Sequence, residues 1–274
     1  MQNNITVYGN FFLDEIYCLD SELNVDGNNF CGSYNISYGG IANFIRGIHY
    51  FDPHCGISAF TQIGSEINKY DLEKFAQENR ANLYYNISED YKTSRSVILL
   101  DKKSSRRTSV TSWGACVNLN FNNIQASNWH HIAYLDKLYF LRGEHIDEMC
   151  KSGQVSGDLC LQQYTGQQKS FLFKEIFPRL QYLFLSHKEA AALNITSNVA
   201  RTATIIHAPH SIEVLTPNAI NNINLMFDSI ENLNVLGAGD LFAACCVNYI
   251  LTHKKLNSVL EIQKSMSTCL KSIS

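Results

Sequence analysis

The stretch Gly237-Ala238-Gly239-Asp240, running at once into the apolar segment Leu241 to Leu251, decides how this chain is read. A turn of small residues that opens a helix directs several backbone N–H groups at one point, and the helix dipole adds partial positive charge there. Such a point favours a phosphate or another anion. The Asp240 carboxylate beside it would repel a resting phosphate, so its chemical use is to take a proton from a hydroxyl that attacks the phosphate. The four residues alone also fit a plain helix start, with a capping aspartate and a glycine turn.

Working outward, short β-type runs alternate with helical segments, as a parallel sheet covered by helices requires. Ile5 to Tyr8, Gly56 to Phe60, Leu138 to Leu141, Asp158 to Leu161, Tyr182 to Leu185 and Thr204 to His207 predict strands. Ile41 to Tyr50, Asn68 to Asn79, His145 to Lys151, His187 to Asn194 and Asp240 to Leu251 predict helices. Right-handed crossovers then place ligand sites at the carboxyl edge of the sheet, where Asn10, Asp14, Ser186 and the Gly237 turn would converge. Two segments break the alternation. Phe11 to Ser37 lacks helical periodicity, and Thr93 to Val110 reads as two strands around the polar tip Asp101 to Arg106. Together, segments of about 11–37 and 93–110 predict a small β-lid on a single domain spanning 1–274.

Four segments in order resemble the ribokinase-like carbohydrate kinases, the phosphofructokinase B (PfkB) type family. Gly237 to Asp240 with Phe242 is similar to the family's C-terminal signature. Ile5 to Asn10 followed by Asp14 is similar to its first strand and substrate-binding aspartate. Tyr38-Gly39-Gly40-Ile41-Ala42-Asn43 resembles the glycine pair and asparagine that open its first helix, and Leu183 to Ala191 resembles its Asn-x-x-Glu helix start. The resemblance implies an α/β fold, a three-layer αβα sandwich with a mainly parallel central sheet and a small β-lid. It also implies a cytoplasmic, ATP- and magnesium-dependent sugar kinase, a transferase that phosphorylates a hydroxyl of a small-molecule sugar or sugar derivative.

The roles follow residue by residue. Asp240 would be the general base, with the N–H groups of Gly237, Ala238 and Gly239 as the anion hole. Asp14, Gly39, Gly40 and Asn43 would bind the acceptor, Asp14 and Asn43 by hydrogen bonds to hydroxyls and the glycines by close backbone approach. Ser186, Glu189, Gly237 and Gly239 would line the nucleotide site. Glu189 would meet magnesium indirectly, through its water shell. The resemblance also carries a homodimer through the lid. Two other readings stay open: a degenerate relative that binds a sugar or a partner without catalysis, and a nucleoside kinase of the same fold. Departures from the family lie on the nucleotide side. Asn234-Val235-Leu236 stands where relatives carry Asp-Thr, Ser186 replaces asparagine, and His207-Ala208-Pro209-His210-Ser211 replaces a Thr-x-Gly-x-x-Gly turn.

Composition narrows the remaining classes. A net charge of -3, with no basic stripe, argues against nucleic acid and polybasic membrane partners. Nine scattered cysteines without Cys-x-x-Cys spacing read as reduced thiols, and no run reaches the length of a membrane span. The tandem His130-His131 lacks the spacing of a zinc site. A nucleophile elbow and a phosphate loop ending in Gly-Lys-Ser/Thr are both absent from the sequence.

Overall fold

Alternating burial along short strands builds the centre of the molecule. In the strand Tyr182–Ser186, Tyr182 and Phe184 face one apolar cluster while Leu183 and Leu185 face another. A strand buried on both faces needs helices on both sides. The computed structural model describes residues 3–101, 106–161, 163–208, 211–224 and 237–253. In chain order its strands and helices are β1 (Asn4–Tyr8), β2 (Phe11–Leu19), β3 (Cys31–Gly40), α1 (Ile41–Phe51), β4 (Gly56–Gly64), α2 (Lys69–Glu78) and β5 (Ala81–Ser88). There follow β6 (Arg95–Asp101), β7 (Arg106–Ser112), β8 (Trp129–Ile132), α3 (Gly143–Met149), β9 (Gln154–Asp158) and α4 (Gly166–Phe171). The last are β10 (Tyr182–Ser186), α5 (His187–Leu193), β11 (Ala203–Ala208), β12 (Ser211–Thr216), β13 (Ala219–Asn224) and α6 (Ala238–His253).

The main sheet has the order β13-β12-β11-β10-β9-β8-β1-β4-β5. Its pairs are parallel from β11 across to β5, while β12 and β13 turn back antiparallel at one edge. One face packs under α1, α2 and α6 through Ile41, Phe44, Ile45, Leu72, Phe75 and Phe242. The other packs under α3, the α4 region and α5 through Ile146, Met149, Leu172, Ile176 and Leu193. This is the three-layer αβα arrangement. A second sheet, ordered β3-β2-β6-β7, carries the segments that lacked helical periodicity.

Two expected strands are misplaced. Leu138 to Leu141 forms no strand; the parallel strand paired with β1 is β8, which the sequence hides behind Trp129 and two histidines. Both histidines are fully buried, with Ser152 bonded to His130 Nε2 and Ser156 to His131 Nδ1. The run expected at Asp158 to Leu161 is instead β9, ending at Asp158, so that aspartate closes its strand rather than opening it. Strands β5, β12 and β13 and the helical stretch 166–179 were not expected. The tip 102–105, Pro209, His210 and Asn234 to Leu236 lie outside the described residues. No helix among the described residues is long and apolar enough to cross a membrane.

Candidate active site

The contact between α1 and α6 creates the site. Helix α1 buries Ile41, Phe44, Ile45 and Ile48 along one face, with Gly47 among them. A Cβ at Gly47 would come within 2.7 Å of the Ala244 Cβ, so the missing side chain lets the two helices approach closely. The first turns of both helices therefore meet, and Asn43 Nδ2 donates to Asp240 Oδ2 at 3.1 Å. Gly237, just before α6, has φ +72°, a conformation that favours glycine. Any side chain there would also strike the Asn43 amide. From this turn α6 runs sixteen residues, and the N–H groups of its first turn face the carboxyl edge of the sheet.

Asp240 is 6% exposed, and both of its oxygens are engaged. Tyr134 donates its hydroxyl to Oδ1 at 3.2 Å, opposite the Asn43 bond to Oδ2. Burial pushes the Asp240 carboxyl well above the usual range, the nearby Asp158 carboxylate pushes it further, and the two donors pull it back. Asp158 is raised too, chiefly by burial. Its Oδ1 accepts the Tyr134 backbone N–H at 2.6 Å, and its Oδ2 lies 3.3 Å from His131 Nε2. The His131 ring stacks on Phe44 at 4.1 Å, and burial lowers its pKa to about 3, so it is neutral. Ser156 Oγ accepts from Trp129 Nε1 at 2.7 Å and meets His131 Nδ1 at 2.9 Å. We assign the Ser156 proton to His131 Nδ1, which leaves the Nε2 proton for Asp158.

Asp14 lies within β2, not after a strand, opposite Ser37 on β3 and Ser96 on β6. A side chain at Gly39 would strike its carboxylate, so this glycine makes the room that Asp14 occupies. Burial raises the Asp14 pKa to about 6 against the opposing pull of Arg46, Arg107 and Ser96. Arg46 donates to Asn43 Oδ1 at 3.0 Å and to the Tyr38 carbonyl at 2.7 Å, tying α1 to the end of β3. Gly40 caps α1 with φ +63°, packed against the Asn10 carbonyl, which accepts the Ile41 N–H. Asp14, Gly39, Gly40, Asn43, Asp240 and the Gly237 to Gly239 turn are thus linked through α1 and its entry.

Ser186 and Glu189 occupy the same edge further along the sheet. They cap α5 reciprocally: the Ser186 N–H donates to Glu189 Oε2 at 2.7 Å and the Glu189 N–H to Ser186 Oγ at 3.3 Å. Glu189 is pushed up to about 8, first by burial and then by the fields of Asp158 and Asp136. Asp136 in turn accepts from the Leu161 N–H at 2.9 Å and the Tyr164 hydroxyl at 3.0 Å. His207 stands opposite Ser186 in the parallel register of β10 and β11, and its ring packs on Phe242 beside Gly239. A buried Glu189 that faces the negative charge of Asp158 and Asp136 suits a divalent cation held through its waters. Among the described residues no cluster of three or more His, Cys, Asp or Glu has the arrangement of a direct metal site.

Sequence reasoning missed Tyr134, Asp158, His131 and Arg46. The first three are hidden by the misplaced strand: once β8 is set at Trp129–Ile132, Tyr134 falls at the carboxyl edge by parallel pairing with β1. Arg46 was findable as a cation one helical turn after Asn43.

The mainly parallel sheet with helices on both faces is the ribokinase-like fold, as solved structures of sugar and nucleoside kinases show. Solved structures of that fold superimpose on this chain. An uncharacterized sugar kinase of Pyrococcus horikoshii is 17% identical, with a TM-score of 0.76 over 98% of this chain and 90% of that one. A nucleoside kinase of Methanocaldococcus jannaschii, described as an archaeal member of the ribokinase family, is 19% identical, with a TM-score of 0.68 over 97% and 88%. A ribokinase of Cryptococcus neoformans var. grubii in complex with ADP is 14% identical, with a TM-score of 0.75 over 98% and 92%. No family model and no curated protein matches the sequence. The likeness is one of fold, and the roles of individual residues rest on the site itself.

Proposed function

We propose that the protein is an ATP-dependent phosphotransferase that phosphorylates a hydroxyl of a sugar or sugar derivative. The observation that carries this reading is the buried Asp240 carboxylate at the first turn of α6, hydrogen-bonded to Asn43 on the acceptor side. The solved structures of sugar and nucleoside kinases with the same fold, one of them holding ADP, support it.

In this reading the acceptor sits between Asp14, Gly39, Asn43 and Asp240. Asp14 accepts hydrogen bonds from its hydroxyls, and Asn43 orients the reacting one. Asp240 takes the proton of that hydroxyl as its oxygen bonds to the terminal phosphorus and the bond to the bridging oxygen breaks, releasing ADP. The N–H groups of Gly237, Ala238 and Gly239 meet the charge on the transferring phosphoryl. Ser186 and His207 border the polyphosphate, and Glu189 would hold Mg2+ through water. Bound there, that cation would neutralise phosphate charge. The sheet of β3, β2, β6 and β7 acts as a lid over a single domain, excluding water that would otherwise receive the phosphoryl group.

Mass spectrometry after incubation with ATP, Mg2+ and a pool of sugars, heptoses and nucleosides tests the reading. A new phosphorylated mass that Asp240→Asn loses identifies the kinase and its acceptor class. A nucleoside product replaces the sugar assignment. No product, together with no ATP binding, makes the protein a non-catalytic binder of the same fold.

A further inference from the structure

Each oxygen of Asp240 already accepts one hydrogen bond, so an acceptor hydroxyl must either share an oxygen with Asn43 or Tyr134 or take the place of one of them. The two partners differ in freedom. Asn43 is a half-buried amide with a second N–H, on the first turn of α1, and can trade its bond to Asp240 for one to an incoming hydroxyl. Tyr134 has no such latitude. Its backbone is left-handed, φ 59° and ψ 49°, a conformation uncommon for a bulky residue and held where its surroundings enforce it. The Asp158 carboxylate clamps its N–H at 2.6 Å. Its ring is set edge-on against Phe12 at 5.9 Å and Trp113 at 6.3 Å, and Lys137 Nζ lies over the Trp113 ring at 4.4 Å.

Resting on the reading of Asp240 as the base, we propose that Tyr134 is its positioning residue: the phenol hydroxyl holds Oδ1 permanently, so that Oδ2, released by Asn43, takes the acceptor proton. Burial and the surrounding carboxylates hold the Tyr134 phenol far above its ordinary pKa, so it remains a donor throughout the working pH range. Among the described residues, the groups that face Asp240 are Tyr134 from the turn after β8, His131 on β8, Asp158 on β9 and the neutral Asn43 on α1. His207 on β11 lies against Gly239 on the far side of the turn. Among these described groups, Tyr134 donates to Oδ1 from a fixed backbone. A hydrogen bond to the charged form lowers a carboxyl pKa.

The test is an NMR titration of the full chain carrying 13Cγ-labelled aspartate, with the Asp240 signal assigned by its loss in Asp240→Asn. Tyr134→Phe keeps the ring and removes the hydroxyl, and the Asp240 midpoint rises by about one pH unit. Fluorotyrosine placed at position 134, a stronger donor with the same shape, lowers the midpoint and decides the matter if Tyr134→Phe does not fold. A midpoint unmoved by either replacement overturns the proposal, because packing alone would leave it in place. The titration needs neither nucleotide nor acceptor. Its failure is therefore distinct from failure of the kinase reading, which Asp240→Asn tests through phosphoryl transfer.

Discussion

At the scale of single residues, the site depends on side chains that are missing as much as on those present. Gly39 has an ordinary extended backbone, so alanine fits its conformation, but the added Cβ strikes the Asp14 carboxylate. Gly39→Ala therefore displaces Asp14 without disturbing Asp240. Steady-state kinetics are expected to show kcat/KM lowered on the order of 10- to 100-fold, mostly through KM, with the pH profile keeping its position. An unchanged KM would remove Asp14 from the acceptor site. At this scale the sequence was informative where small residues carry meaning. Gly237, Gly39, Gly40 and Asp240 could be picked out because they fall in segments that resemble known motifs in the same order along the chain. Tyr134 was not visible, since its left-handed backbone and its reach to Asp240 depend on a strand register that no local pattern encodes.

At the scale of elements, the capping of α5 carries a measurable consequence. Glu189 is held at a pKa of about 8 against a usual 4.5, first by burial. The folded form thus favours the neutral acid. Its contribution to stability is complete below pH 4.5 and is lost as pH rises through 8. Glu189→Gln keeps an oxygen that can accept the Ser186 N–H and removes the ionisation. Thermal melts are expected to give the variant a higher Tm than the parent at pH 8.5 and an equal one at pH 4. A variant that melts lower at pH 8.5 would mean that the carboxylate is stabilised in the fold by a partner. Helix α1, with its apolar face, and helix α6, apolar nearly all round, were legible from the sequence. Strand β8 was not, because its two histidines read as polar in the sequence although both are buried and hydrogen-bonded to Ser152 and Ser156. Strands β12 and β13, which turn back at the edge of the sheet, follow from no alternation of β and α.

At the scale of the whole molecule, topology does the gathering. Parallel strands put Tyr134, Asp158, Ser186 and His207 at one edge, and the close packing of α1 on α6 brings Asn43 and Asp240 across 197 residues of sequence to the same place. The second sheet adds Asp14 from β2 and Phe12 beside Tyr134. The overall class was readable because βα alternation and a short ordered set of motifs constrain topology together. The electrostatics were not, because the raised carboxyls of Asp240 and Asp158 arise only when distant segments bury them side by side.

The central claim is that Asp240 acts as the base, and the pH dependence of phosphoryl transfer to the acceptor found in the pool, measured in the parent and in Asp240→Asn, tests it most directly. In the parent, kcat is expected to rise with pH through a midpoint above the usual carboxylate range, since the ionised form does the work. The variant is expected to fall by about 10²- to 10⁴-fold and to lose that limb while still binding ATP. Transfer by Asp240→Asn at the parent's rate, with the same pH profile, would contradict it.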